Sequence, residues 1–298
     1  MAFQLRSTVI YEAQTDPEHL VDPGVRGSIF LALQLIGLIG SVVVLLTAPF
    51  SSVGRQMTWY NFFISWMVFC TSYLLLFFAG QDHNPEPPFA LCLTQSSLTY
   101  AAPPFASSAT LCLVVQLYFN VYTSLTGKRI KGERFWNLMI LILPYVIFAI
   151  VMIESLVVGL LLKESHFSTI SYCSLETVVP GRLTAALVVL FIVPVLVLNV
   201  IIYRRLKKCS SVLRTARAFR TMFIRVTIFS AFGLISVVAG LLFFFVVFME
   251  DSDNGLADLD IVLACIPTAA VLIFGTHEDL LKTWLFWKKR KVSPASPA

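Results

Sequence analysis

Stretches of about twenty apolar residues recur seven times along this chain, each closed by a short polar segment. A helix needs roughly 20 residues, at about 1.5 Å each, to cross an apolar layer of about 30 Å. The spans read as 27–48, 58–79, 92–122, 137–162, 183–203, 222–248 and 258–275. Composition points the same way. Hydrophobic residues make up 57% of the 298 and charged residues 13%, about half the charge of an ordinary soluble domain. A water-soluble fold of this length needs a polar shell that the chain cannot supply. The expected fold class is therefore all-α, a polytopic membrane protein built as a seven-helix bundle over 27–275. An outer segment, 1–26, precedes the bundle, and residues 276–298 follow it. The first 26 residues lack the apolar core of a cleavable leader, so the first span is expected to act as its own insertion signal.

Charge sets the expected orientation. Eighteen of the 22 Lys and Arg fall after spans one, three and five or in the tail, and four (Arg6, Arg26, Lys163 and Arg182) fall on the other side. Basic residues flank the cytoplasmic ends of membrane helices, so the N-terminus is expected outside and the C-terminus inside, in a plasma-membrane protein. The net charge of +5 then reflects membrane topology and not an affinity for nucleic acid. In span three, Pro103 and Pro104 interrupt a long stretch. Such kinks are tolerated when hydroxyls satisfy the freed carbonyls, and Thr99, Ser107 and Ser108 are placed for that.

That topology sorts the cysteines. Cys92, at the outer end of span three, and Cys173, after span four, both face the oxidising side. They are the expected disulfide, pinning the 163–182 loop over the bundle. Intramembrane ionisable groups are few, and Glu154 in span four stands out because a short carboxylate reaches water poorly. Gln34, Asn61, Gln116, Asn120 and Asn199 read as groups that hydrogen-bond between helices. Gln95, Thr99 and Tyr100 occupy adjacent turns in the outer half of span three, where an entering ligand meets them. With Glu154 they form the expected ligand-binding set.

Enzyme chemistry finds no footing. His19, His83, His166 and His277 lie in loops or tails, away from any intramembrane metal set. HExxH, GxSxG, GxGD, P-loop and Rossmann patterns are all absent. Span seven has no lysine for a retinal Schiff base. No catalytic residue, metal or cofactor is expected.

The inner face carries more. The segment RRLKKCSSVLRTARAFR between spans five and six has basic residues and no acidic ones. It suits anionic lipid headgroups, at about 1 kcal/mol per basic side chain, and equally a docked signalling protein. Lys128, Arg129, Arg204, Arg205, Arg217 and Arg220 are the expected effector-facing residues. After span seven, HEDLLKTWLFWKKRK sets Leu281, Trp284, Leu285 and Trp287 on one side of a short helix. That pattern predicts an amphipathic helix lying on the inner bilayer surface.

In layout the chain resembles G-protein-coupled receptors. In sequence, TYAAPPFASSATLCLVVQ and IFGTHEDLLKTWLFW resemble the seven-helix receptor-like proteins of fungi, the basidiomycete sets in particular. The resemblance implies a receptor that couples an extracellular ligand to a heterotrimeric G protein. It departs from the rhodopsin-like pattern: LYFNVYTS stands where an Asp-Arg-Tyr triplet would end span three, and CIPTAAVLIFG replaces Asn-Pro-x-x-Tyr, leaving Pro267 alone. The rival reading is a small-solute transporter of the sugar-carrier or PQ-loop kind. Its paired Pro-Gln or Pro-Asn dipeptides are missing, and the prolines show no matching halves.

Overall fold

The computed structural model describes residues 23–51, 54–81, 84, 87–128, 132–162, 166–167, 172–175, 177–208, 221–235, 238, 253–276 and 280. These form α1 (Pro23–Thr47), α2 (Met57–Tyr73), α3 (Leu75–Phe78), α4 (Phe89–Thr126), α5 (Glu133–Leu162), α6 (Val178–Lys208), α7 (Thr221–Ile235) and α8 (Asp253–Gly275). A two-residue hairpin, β1 (His166–Phe167) against β2 (Cys173–Ser174), joins α5 to α6, with Phe167 opposite Cys173. Among the described residues the fold is all-α apart from that hairpin.

Among the described residues four helices, α1, α4, α5 and α6, are long and apolar enough to cross a membrane; Thr221–Ile235 and Asp260–Gly275 are apolar but shorter. The surface is apolar too. Ile36, Leu46, Ile142, Ile150, Leu190 and Val197 are exposed along α1, α5 and α6. A water-soluble monomer does not present such a belt, whereas an integral membrane protein does. The expected count of seven crossings goes further than these four.

Helix ends differ from the hydropathy reading in an informative way. The 183–203 span is a helix over Val178–Lys208, and the 92–122 span runs over Phe89–Thr126. Hydropathy stops where polar residues begin, but backbone hydrogen bonding does not. Helix α4 ends at Gly127, whose φ of 65° is the left-handed C-cap that glycine adopts at no steric cost. The 58–79 span is broken: α2 ends at Tyr73, Leu74 turns, and α3 resumes at Leu75. Helix α1 stops before a 3-10 turn, Ala48–Phe50, because Pro49 cannot continue the hydrogen-bond ladder.

Helix α4 is the central post, packed against α2, α5 and α6, while α1 packs against α8 and α2. Small residues let neighbours approach it: Ala101, Ala102, Ala106, Ala109 and Ser108 are buried. Its hydroxyls are satisfied largely on its own backbone. Ser97 donates to Leu93 O at 2.8 Å, Ser108 to Phe105 O at 2.9 Å and Thr110 to Ala106 O at 2.7 Å. An aromatic cluster of Phe62, Trp66, Phe229 and Phe274, with ring centroids 5.1–6.2 Å apart, joins α2, α7 and α8.

Candidate functional site

The C-terminal end of α2 and the N-terminal ends of α4, α6 and α8 meet beneath the hairpin. Cys92 and Cys173 are disulfide-bonded, with Cα atoms 5.3 Å apart. This is the bond expected from their shared compartment. It ties the hairpin to the first turn of α4.

Gln95 lies one turn further along and is fully buried. Its Oε1 accepts the Cys173 N–H at 2.9 Å, and its Nε2 donates to the carbonyls of Tyr73 (3.1 Å) and Ser72 (3.3 Å). The α2 break leaves those two carbonyls to this amide. A single side chain therefore joins α4, the end of α2 and the hairpin.

Tyr100 makes the second attachment. Its hydroxyl accepts the Leu175 N–H at 3.3 Å and donates to Leu175 O at 3.4 Å. Its carbonyl is one of two left without an i+4 donor by Pro103 and Pro104, and the Thr184 hydroxyl on α6 donates to it at 2.8 Å. The hydroxyls expected to do this bond elsewhere. Thr99 donates to Ser96 O (2.9 Å), Ser107 to Pro104 O (3.2 Å) and Ser108 to Phe105 O (2.9 Å). A hydroxyl reaches carbonyls three or four residues back in its own helix, which excludes the freed pair for each of these three.

Tyr172 closes the hairpin over α1 and α8. Its hydroxyl donates to both Asp260 carboxylate oxygens, at 3.0 and 3.1 Å. Its ring stacks on Phe30 (centroids 5.9 Å) and meets Tyr73 edge-on (5.1 Å). Burial, and secondarily the Asp260 carboxylate, push the Tyr172 phenol well above its ordinary value. It stays a protonated donor through the physiological range. One turn below Phe30, Gln34 is fully buried, and neither its Oε1 nor its Nε2 has a hydrogen-bond partner among the described residues.

Of the expected ligand-binding set, Gln95, Thr99 and Tyr100 thus come together under the hairpin, with their polar atoms engaged inside the protein. Glu154 stands apart on α5, half-buried, where it accepts a 3.2 Å hydrogen bond from Ser155. Tyr172 and Thr184 are absent from the sequence reading. Adjacency to Cys173 was the only signal for Tyr172, and Thr184 had none.

At the opposite end, Lys128 and Arg204 are exposed. The Arg205 guanidinium lies over the rings of Tyr118 and Tyr122, 5.4 and 5.3 Å from their centroids, and holds α6 to α4. Arg225 on α7 donates to Ile273 O, to Thr276 Oγ1 (3.3 Å) and to Thr276 O (3.3 Å) at the end of α8. A cation there also meets the negative end of the helix dipole. Arg129, Arg217 and Arg220, and the interfacial-helix residues Leu281, Trp284, Leu285 and Trp287, lie outside the described residues. No group of three or more His, Cys, Asp or Glu able to hold a metal occurs among the described residues. No protein-family model matches the chain, and no curated protein matches it.

Proposed function

We propose that the chain is a seven-helix plasma-membrane receptor of the divergent fungal type. Its N-terminus is outside and its C-terminus inside, and it couples an extracellular ligand to a cytoplasmic heterotrimeric G protein. The observation that carries this reading is the double attachment of the outer hairpin to α4, through the Cys92–Cys173 disulfide and through Gln95. A transporter opens its binding site to each side in turn by rocking one half against the other. A hairpin bolted to the central helix opposes outward opening. It suits a receptor, whose outer end binds a ligand while its inner end rearranges.

On this reading a ligand meets the outer half of α4 at Gln95, Thr99 and Tyr100, with Glu154 flanking. It acts by exchanging their bonds to the hairpin and α2 for bonds to itself. Transmission follows a two-state equilibrium. The moving element is the inner end of α7, which Arg225 joins to α8. Lys128, Arg129, Arg204, Arg205, Arg217 and Arg220 are the residues that meet the effector. A hundredfold shift between states requires the ligand to favour one of them by about 2.8 kcal/mol.

The test is binding of nucleotide-free heterotrimeric G proteins to the purified, disulfide-intact protein, against a variant carrying Arg217→Glu and Arg220→Glu. Binding lost on charge reversal is the expected result. Intact protein that binds no heterotrimer in a broad panel overturns the reading, and solute flux into proteoliposomes becomes the next assay.

A further inference from the structure

A cleft of about 730 Å³ opens between the start of α2, the start of α5 and the second half of α4, at the end of the molecule opposite the hairpin. Its floor is a tie between helices. Asn61 on α2 donates through Nδ2 to Leu141 O at 3.0 Å, and Tyr145 donates to Asn61 Oδ1 at 3.0 Å. Leu141 lines the cleft directly above that tie.

Eight of the eleven residues that line the cleft are polar or charged. Arg55 and Arg134 supply two guanidinium groups against the single carboxylate of Glu133. The Arg55 side chain is also braced on the Trp59 ring, 5.2 Å from its centroid. Thr58 is 96% buried and lines the cleft, yet its hydroxyl has no hydrogen-bond partner among the described residues. The reason is local. Thr58 is the second residue of α2, so no helical carbonyl precedes it for the back-bonding that the hydroxyls of α4 make. Asn137 Oδ1 is likewise buried without a partner among the described residues. A buried polar atom without a partner costs free energy until something bonds it.

The rim is apolar. Met57 and Leu138 line the cleft and are 69% and 55% exposed. Ile142, one turn beyond Leu138 on the same face of α5, is exposed too. The cleft therefore joins a cationic, hydrogen-bonding pocket to an apolar stripe running along a helix axis. A free solute anion has no use for the stripe.

We propose that this cleft is a site for one anionic membrane phospholipid. Its phosphate and the carboxylate of a serine headgroup are held between Arg55, Arg134 and the Thr58 hydroxyl, and an acyl chain lies along Leu138 and Ile142. The proposal rests on the membrane-spanning, cytoplasm-facing part of the proposed function and is independent of G-protein coupling. A protein that fails to couple can still hold the lipid, and the two failures are read by separate assays.

The experiment is native mass spectrometry of the full chain in detergent. It is titrated with phosphatidylserine or phosphatidylcholine of identical acyl chains, and with soluble glycerophosphoserine. The expected result is one phosphatidylserine retained where phosphatidylcholine is not, with occupancy falling by at least about tenfold in Arg55→Gln/Arg134→Gln. Arg204→Gln/Arg205→Gln, on the same face but outside the cleft, leaves occupancy unchanged. Thr58→Val, which keeps the side-chain shape, lowers occupancy by a smaller factor and serves where the double variant does not fold. Equal loss from both arginine pairs would show nonspecific attraction to a basic face and overturn the site. Full competition by glycerophosphoserine at lipid-equivalent concentration would overturn the lipid in favour of a soluble phosphate ester.

Discussion

The hydroxyl of Thr184 donates a 2.8 Å hydrogen bond to the carbonyl of Tyr100, which Pro104 leaves without its helical donor. The proline interruption of the α4 hydrogen-bond ladder is thus satisfied from α6. Thr184→Val keeps the shape and strands the carbonyl, at a cost of about 1–2 kcal/mol by the usual desolvation range. Measured values between membrane helices average nearer 0.6 kcal/mol. Thermal unfolding in detergent reads the loss. In a Pro104→Ala background the residue-104 N–H can take the carbonyl, so the Thr184→Val effect is expected to shrink. Strict additivity of the two substitutions would remove this account.

Gln95 and the disulfide hold the same strand by different means. Gln95→Leu leaves the Cys173 N–H and the carbonyls of Ser72 and Tyr73 without their partner, a loss of roughly 2–4 kcal/mol. Cys92→Ser/Cys173→Ser opens a closure of 81 residues, for which chain entropy predicts about 4.5 kcal/mol. Hydrogen exchange separates them. With the disulfide intact, Gln95→Leu exposes the Cys173 amide while the hairpin stays docked. An unchanged exchange rate at Cys173 in that variant would show that the amide bond adds nothing to the disulfide.

Much of this was legible in the sequence where a signal is local or depends on compartment. Cys92 and Cys173 were paired by compartment alone, and four of the apolar segments coincide with helices long enough to cross a membrane. Helix ends were legible only where lipid-facing hydropathy coincides with hydrogen bonding, so Arg204 and Arg205 hid the last turn of α6. Gln95 and Tyr100 were legible as polar groups in the outer half of α4. Their partners were not, because these are backbone atoms of Ser72, Tyr73, Cys173 and Leu175. A backbone atom carries no residue-type signature, and only the three-dimensional packing says which carbonyl is left open.

Glycines on α1 decide how closely α8 can approach. A Cβ on Gly37 would lie 2.8 Å from Pro267 Cβ, and one on Gly40 would lie 2.6 Å from Val271 Cγ1. Alanine gains up to about 1 kcal/mol of helix propensity, whereas overpacking costs about 1–3 kcal/mol. Val271 is a side chain that can be trimmed; the Pro267 ring is fixed. Gly37→Ala and Gly40→Ala are therefore both expected to destabilise, and Val271→Ala is expected to rescue only the second. Among the described residues nothing lies within 4 Å of a Cβ added at Gly233, so Gly233→Ala should be neutral or slightly stabilising. Unfolding midpoints of the three glycine variants, of Val271→Ala, and of Val271→Ala combined with each α1 variant check the set, and a stabilising Gly37→Ala would contradict the packing described.

The Tyr172–Asp260 hydrogen bonds give the hairpin a defined alkaline limit. Because burial raises the Tyr172 phenol in the folded protein, its contribution is fully present below the ordinary phenol value of about 10. It is lost as pH climbs beyond that. The loss of hairpin protection that follows ionisation of the phenol should appear only above about pH 10. Tyr172→Phe keeps the ring contacts with Phe30 and Tyr73 and should abolish the alkaline step. A step that survives in Tyr172→Phe belongs to another group.

Arg225 offers the sharpest test of transmission. Its guanidinium bonds Ile273 O and Thr276 in the last turn of α8, and hydrogen bonds of a charged group contribute about 1.5–3 kcal/mol. If the inner end of α7 is the moving element, those bonds stabilise the resting arrangement. Their removal then raises the active population with no ligand present. A shift of about 1.4 kcal/mol is tenfold, so a resting ratio of about 1:99 would become roughly 1:10. Arg225→Gln is therefore expected to increase basal nucleotide exchange on the coupled G protein about tenfold. Arg225→Lys keeps the charge but lacks the planar fork needed to reach both carbonyls, and should fall between. Lower basal exchange in Arg225→Gln, with the Cys92–Cys173 bond intact, would mean that the contact belongs to the active arrangement, and the assignment of the moving element would have to be reversed.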